Sequence, residues 1–241
     1  MSSVAQHNMK KWLILVAVLA VGAAVAVYVA GLPSRPEPSA SPASAPVDLG
    51  PIRAKAEAGD ATAQAQLGTC YAKGEGVTNN YAEAAKWFRR AADQTNADGQ
   101  TGLGELYEAG QGVKRDPAEA LRLYQLAAAQ GHVGAQYNLG YDYATGHNVP
   151  QDQSEAAKWF SLAAAGGEPL AQYDMGQRCE VGLGVGVDRV EALKWLILSA
   201  KQGQQAAAER RDKLKKSLTQ ADIAEAERRA SAFVPVKAGG K

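Results

Sequence analysis

The sequence predicts an all-α protein. Its body is an α-solenoid of four 36-residue helix-turn-helix repeats, closed by C-terminal capping helices and preceded by an N-terminal transmembrane helix. Three observations carry that prediction. A set of residue columns recurs four times at a spacing of 36 without insertion. Within each repeat the apolar residues follow helical spacing and glycines fall where helices should end. An uncharged run from Trp12 to Leu32 follows Lys10 and Lys11 near the start of the chain.

The columns begin with Gly59, Gly131, Gly167 and Gly203, with Thr95 in the missing place. Gln64, Gln100, Gln136 and Gln172 form the next. Leu67-Gly68, Leu103-Gly104 and Leu139-Gly140 recur, with Met175-Gly176 as the fourth. Tyr71, Tyr107 and Tyr143 share a column that ends in Cys179, and Gly74, Gly110, Gly146 and Gly182 follow three residues later. Glu83, Glu119, Glu155 and Glu191 come next, then Trp87, Leu123, Trp159 and Trp195.

Each repeat reads as two helices. In the first repeat one runs from about Ala61 to Lys73, where Ala63, Leu67 and Tyr71 share a stripe and Gly74 and Gly76 end it. The other runs from about Tyr81 to Ala92, with Ala84, Trp87, Phe88, Ala91 and Ala92 on its apolar face. The glycine inside each first helix costs about 1 kcal/mol by propensity. Its recurrence predicts a neighbour packed too close for a side chain. Glu83/Lys86, Glu119/Arg122, Glu155/Lys158 and Glu191/Lys194 are spaced for ion pairs on a solvated face. A helix pair of this length buries its apolar stripe only against its neighbours, so the units stack into an array.

These motifs resemble a known family. Leu-Gly-x-x-Tyr, then Gly-x-Gly-Val, then Ala-x-x-Trp and a paired alanine are similar to the Sel1-like repeat, a relative of the tetratricopeptide repeat. Residues 55 to 202 carry the resemblance. It implies a right-handed superhelix with a concave groove that binds proteins or peptides. It also implies bacterial envelope roles such as scaffolding, regulation of a sensor or polysaccharide export. The chain departs from the cysteine-rich branch of the family, in which each repeat carries its own disulfide, so hydrolase activities attached to that branch transfer poorly.

Outside the repeats, residues 1–11 read as a cytoplasmic N-terminus and 12–32 as a transmembrane helix. A helix rises about 1.5 Å per residue, so a run of this length spans the hydrocarbon core. Lys10 and Lys11 keep the N-terminus inside and send the rest out of the cytoplasm. A signal peptide cleaved after Ala24-Val25-Ala26 is the alternative, and it also exports the chain. Residues 33–51 hold six of the ten prolines and read as an extended spacer before the repeats at 52–203. Gln204 to Lys216 and a segment from Thr219, with a Thr219/Asp222 capping box, make up capping helices over 204–233. Leu214, Leu218, Ile223 and Phe233 would cover the last repeat, while Arg210, Arg211, Lys213, Lys215, Lys216, Arg228 and Arg229 would face water. Residues 234–241 read as a flexible tail.

Little in the chain suggests chemistry. Twenty-six basic and 25 acidic residues leave a net charge of +1, without the basic excess of a nucleic-acid binder. The three histidines are scattered and no CxxC pair exists, so no metal or cofactor site is expected. Gly182-Leu183-Gly184-Val185-Gly186 has no preceding strand and no following Gly-Lys-Ser/Thr, and its register makes it an inter-helix turn. His132 and His147 also fall between helices. Cys70 and Cys179 lie three repeats apart, too far for the roughly 6 Å between Cα atoms that a disulfide needs.

The binding surface is expected where columns vary. Ala65, Thr101, Tyr137 and Tyr173 form one such column, and Thr69, Glu105, Tyr141 and Gln177 another. By the tetratricopeptide resemblance these line the concave face, with Asn138 beside Tyr137 and Glu108 beside Glu105. Tyrosine gives large contact area at low entropic cost, although packing between helices would use the same residues. The function expected is a membrane-anchored adaptor that binds a protein or peptide and catalyses nothing. An envelope hydrolase acting on β-lactam or cell-wall bonds and a periplasmic inhibitor of a membrane sensor are the alternatives.

Overall fold

The computed structural model describes residues 48–236. The expected membrane run at 12–32 and residues 33–47 of the spacer lie outside the described residues, as do residues 237–241 of the tail. Among the described residues no helix is long and apolar enough to cross a membrane.

Eleven α-helices and no strand occur among the described residues. A short helix, α1 (Gly50–Glu57), precedes four pairs of 13-residue helices. The pairs are α2 (Ala61–Lys73) with α3 (Tyr81–Asp93) and α4 (Ala97–Ala109) with α5 (Pro117–Ala129). They continue as α6 (Val133–Thr145) with α7 (Gln153–Ala165) and α8 (Pro169–Val181) with α9 (Arg189–Lys201). Then come α10 (Gln205–Lys215) and α11 (Gln220–Ser231).

The helix ends are written in the sequence. The first helices start at Asp60, Asn96, His132 and Glu168, and the second at Asn80, Asp116, Asp152 and Asp188. Each of these side chains accepts a backbone N–H of the first turn. The first helix of each of the four pairs stops at a left-handed glycine, at Gly74, Gly110, Gly146 and Gly182. Thr95 takes the same left-handed region at φ 61° where other repeats use glycine.

The helical glycines pack as the propensity argument requires. A Cβ at Gly68, Gly104 or Gly140 would lie 2.7 Å from the ring of Phe88, Tyr124 or Phe160, and one at Gly176 would lie 2.8 Å from Leu196. All four partners share one column of the second helix. A glutamine ladder ties the stack together. The Nε2 groups of Gln64, Gln136 and Gln172 donate to the carbonyls of Ala56, Ala128 and Ala164 on the preceding helix. Gln94, Gln130 and Gln202 donate in turn to the side chains of Gln64, Gln100 and Gln172. Gly166 stands at that place in repeat three, where a Cβ would lie 2.1 Å from Val133 Cγ1.

Two parts differ from the sequence reading. The spacer does not run to Pro51: α1 begins at Gly50, with Pro51 in its first turn, where proline costs no helical hydrogen bond. Its end at Glu57 lies 93 − 57 = 36 residues before the end of α3, so α1 is the shortened second helix of a preceding half-repeat. The capping segment is also more engaged than expected. α10 starts 205 − 169 = 36 residues after α8 and continues the array as a fifth first helix. α11, with the capping box at Thr219 and Asp222, packs on α9. The reason lies in α9, where Ile197 and Leu198 replace the Arg89 and Arg90 of repeat one, so its outer face is apolar and is buried. Leu214 is buried, and the Phe233 ring stands edge-on to Trp195 at 5.6 Å.

The expected water-facing cations are mostly paired. Arg210 binds Glu180, Lys215 binds Glu227, and Arg229 binds both Glu225 and Glu191. Lys213 and Lys216 do face water. The tail is not loose as far as residue 236, because the Val236 N–H donates to the Ala165 carbonyl at 2.8 Å.

Candidate protein-binding face

α2 and α4 pack directly on one another, as α9 and α11 do at the other end of the array. The expected binding residues all lie on the first helices α2, α4, α6 and α8. Their outward positions divide the expected binding residues into two groups.

Thr69, Glu105, Tyr141 and Tyr173 keep access to solvent, Glu105 most of all. Burial together with the nearby carboxylates of Asp174, Glu209 and Glu180 pushes the Tyr173 phenol above its usual range, against the opposing pull of Arg210, so its hydroxyl stays protonated. Thr69 Oγ1 donates back to the Ala65 carbonyl.

The others are structural. Tyr137 is 5% exposed and its ring packs on Phe160 at 5.5 Å, so it belongs to the core between helices. Asn138 and Gln177 are each 6% exposed. Thr101 is buried, donates to the Ala97 carbonyl and lies 3.0 Å from His132 Nδ1. Glu108 accepts the Tyr124 hydroxyl at 2.7 Å and lies 3.7 Å from His147 Nε2, which joins repeats two and three. His132 is a helix cap: its Nδ1 accepts from the Ala135 N–H, so its Nε2 is the protonated nitrogen and donates to Asp98.

Sequence reasoning missed a buried charged group in repeats three and four. Asp142, Asp174 and Arg178 are all 0% exposed. Arg178 donates to the carbonyls of Gln153 and Leu183 and to the Gln153 side chain, and its guanidinium lies 4.9 Å over the Phe160 ring. It fastens the start of α7 to the turn after α8. Gly184 sits in that turn, where a Cβ would lie 1.9 Å from the Gln153 carbonyl oxygen, which confirms the glycine run as a packing turn. The available signal was the column Cys70, Leu106, Asp142, Arg178, which changes from apolar to charged midway.

Both cysteines are free and buried, and burial pushes the Cys179 thiol up to about 11. Among the described residues no three His, Cys, Asp or Glu side chains are grouped to hold a metal ion.

The Sel1 repeat family model matches residues 61–96, 97–132, 133–168 and 169–204. Among solved structures, a protective antigen of uropathogenic Escherichia coli strains that displays this repeat fold is 36% identical, with a TM-score of 0.65. The match covers 77% of this chain and 41% of that one. A Sel1 repeat protein from Oxalobacter formigenes is 34% identical with a TM-score of 0.62, over 68% of this chain and 47% of its own. The chain thus spans under half the length of either relative. No curated protein sequence matches it. Sel1 repeat proteins generally act as scaffolds for protein–protein interaction. With four consecutive repeats in one unbroken register, the chain belongs to the Sel1 repeat family.

Proposed function

We propose that the chain is a membrane-anchored adaptor of the bacterial cell envelope that works by binding and performs no catalysis of its own. Residues 12–32 would hold it in the inner membrane, the proline-rich spacer would lift it from the surface, and the repeats would stand on the extracytoplasmic side. A protein or peptide partner would lie along the first helices, against Thr69, Glu105, Tyr141 and Tyr173.

One observation carries this reading. The columns that pack the array stay nearly constant through four repeats, while these four positions, three of them in one column, keep solvent access and differ from repeat to repeat. Variation at accessible positions of a repeating scaffold is what recognition of an irregular partner needs. Membrane delivery would raise the effective concentration of a weak partner without any new contact.

The test is affinity capture of the full-length protein from its own membrane beside a Tyr141→Ala/Tyr173→Ala variant. The expected result is an envelope protein held by the parent and lost by the variant at unchanged helicity. Equal capture by both would remove the proposed face from the reading. Reporter fusions after Val236 that are active only in the cytoplasm would overturn the topology.

A further inference from the structure

The outer side of the second helices carries a column that reads Arg90, Leu126, Leu162, Leu198. The last of these is 8% exposed, on the helix that α11 and the C-terminal segment cover. Leu126 and Leu162 are 42% and 50% exposed. The array therefore exposes this apolar position at Leu126 and Leu162 and buries it at Leu198.

The C-terminal segment is held at specific points on the same side of the array. Phe233 meets the edge of Trp195, and the Lys194 ammonium lies 3.7 Å from the Trp195 ring centre and 6.0 Å from that of Phe233. Pro235 lies 3.4 Å from the place a Cβ would take at Gly167. The Val236 N–H then donates to the Ala165 carbonyl, one of the last-turn carbonyls that a helix leaves without a partner of its own. The segment Phe233-Val234-Pro235-Val236 thus crosses, outside any helix, from α9 to the C-terminal end of α7.

Four residues of that seat recur one repeat earlier. Trp159 and Lys158 stand 36 residues before Trp195 and Lys194, Gly131 before Gly167, and Ala129 before Ala165. Lys158 pairs with Glu155 at 2.7 Å as Lys194 pairs with Glu191 at 2.6 Å. Gly131 takes φ 83° and Gly167 takes φ 98°, so the helix ends turn alike. The difference is cover: the Lys194 side chain is 14% exposed and that of Lys158 is 70%.

We propose that the Trp159–Leu162 seat, on the outer side of repeat three, docks an extended segment of a partner protein with the pattern aromatic-x-Pro-apolar. The aromatic ring would stand on Trp159 under Lys158, the proline at Gly131, and the N–H after it would donate to the Ala129 carbonyl. The occupant's chemistry is read from the segment already bound at the equivalent seat, with which this one is continuous. The site is separate from the first-helix face and does not depend on it.

The test titrates full-length protein with a fluorescent peptide of residues 230–237, Ala-Ser-Ala-Phe-Val-Pro-Val-Lys. The expected result is one equivalent bound by the parent and a loss of affinity of at least about tenfold in Leu162→Asp, whose exposed site leaves the fold intact. Phe233→Ala, which loosens the chain's own segment, is expected to take up a second equivalent. Absence of binding to the parent, binding undiminished by Leu162→Asp, or binding seen only with Phe233→Ala would overturn the proposal. Self-association of the parent that Leu162→Asp abolishes would assign the seat to a second copy and overturn the partner reading.

Discussion

Gly140→Ala tests the packing logic of the repeats. Taken alone, alanine in a helix interior is better than glycine by about 1 kcal/mol. Here the added Cβ would come within 2.7 Å of Phe160 Cδ1 and 2.9 Å of Cε1, about 1 Å inside ordinary carbon contact. Phe160 has no room to yield. It is 0% exposed, with Tyr137 against its ring at 5.5 Å and the Arg178 guanidinium over it at 4.9 Å. Overpacking of this kind costs about 1–3 kcal/mol, which outweighs or cancels the propensity gain and leaves a net loss of up to about 2 kcal/mol. The sign should reverse once the ring is gone. In a Phe160→Ala background, itself destabilised by about 3–5 kcal/mol, Gly140→Ala should stabilise by up to about 1 kcal/mol. Urea unfolding followed by circular dichroism on the four proteins of the cycle gives the coupling directly. Stabilisation by Gly140→Ala in the parent, or the same effect in both backgrounds, would refute the claim that helix proximity selects the glycine.

Thr95→Gly should stabilise the protein by about 0.5–1 kcal/mol, because a β-branched residue held at φ 61° costs more than glycine's extra chain entropy; a lower urea midpoint would contradict this. Arg178→Met should cost about 3 kcal/mol or more, since it leaves the Gln153 and Leu183 carbonyls without their buried donor; a change in midpoint worth less than about 1 kcal/mol would show that Arg178 fastens nothing. The His132 hydrogen bond holds the Asp98 carboxyl below its ordinary range, so the stability it supplies is present above the ordinary carboxylate pKa and is lost as pH falls through the lowered value. Asp98→Asn should therefore destabilise at neutral pH by less than about 1 kcal/mol, given its exposed side chain, and unfolding curves of parent and variant should converge in acid rather than diverge.

Much of the fold was legible because the repeat supplies four independent readings of each position. Gly74 and its counterparts mark helix ends by backbone conformation, and Ala63, Leu67 and Tyr71 mark a face by spacing, so local and global signals agree. α1 escaped because it is a shortened helix of eight residues that keeps only part of the second-helix pattern, and Pro51 invites reading as a linker residue although it sits comfortably in a first turn. The course of the tail escaped because one hydrogen bond from Val236 and one ring contact from Phe233 leave no periodic trace. The binding face was only half legible. Column variability found Thr69, Glu105, Tyr141 and Tyr173, but it cannot separate an accessible tyrosine from one wedged on Phe160, as Tyr137 is. The same limit hid Asp142, Asp174 and Arg178, which vary because repeats three and four are joined by buried polar contacts where repeat two uses Leu106.

Site-specific photocrosslinking in the native membrane addresses the adaptor reading most directly. A photoreactive residue placed at Tyr141 or Tyr173, on the first helices, is compared with one at Lys86, on the solvated side of repeat one. The same envelope protein should be captured from both tyrosine positions and not from Lys86. Capture from Lys86 alone, or indiscriminate labelling at all three, would contradict a partner held along the first helices.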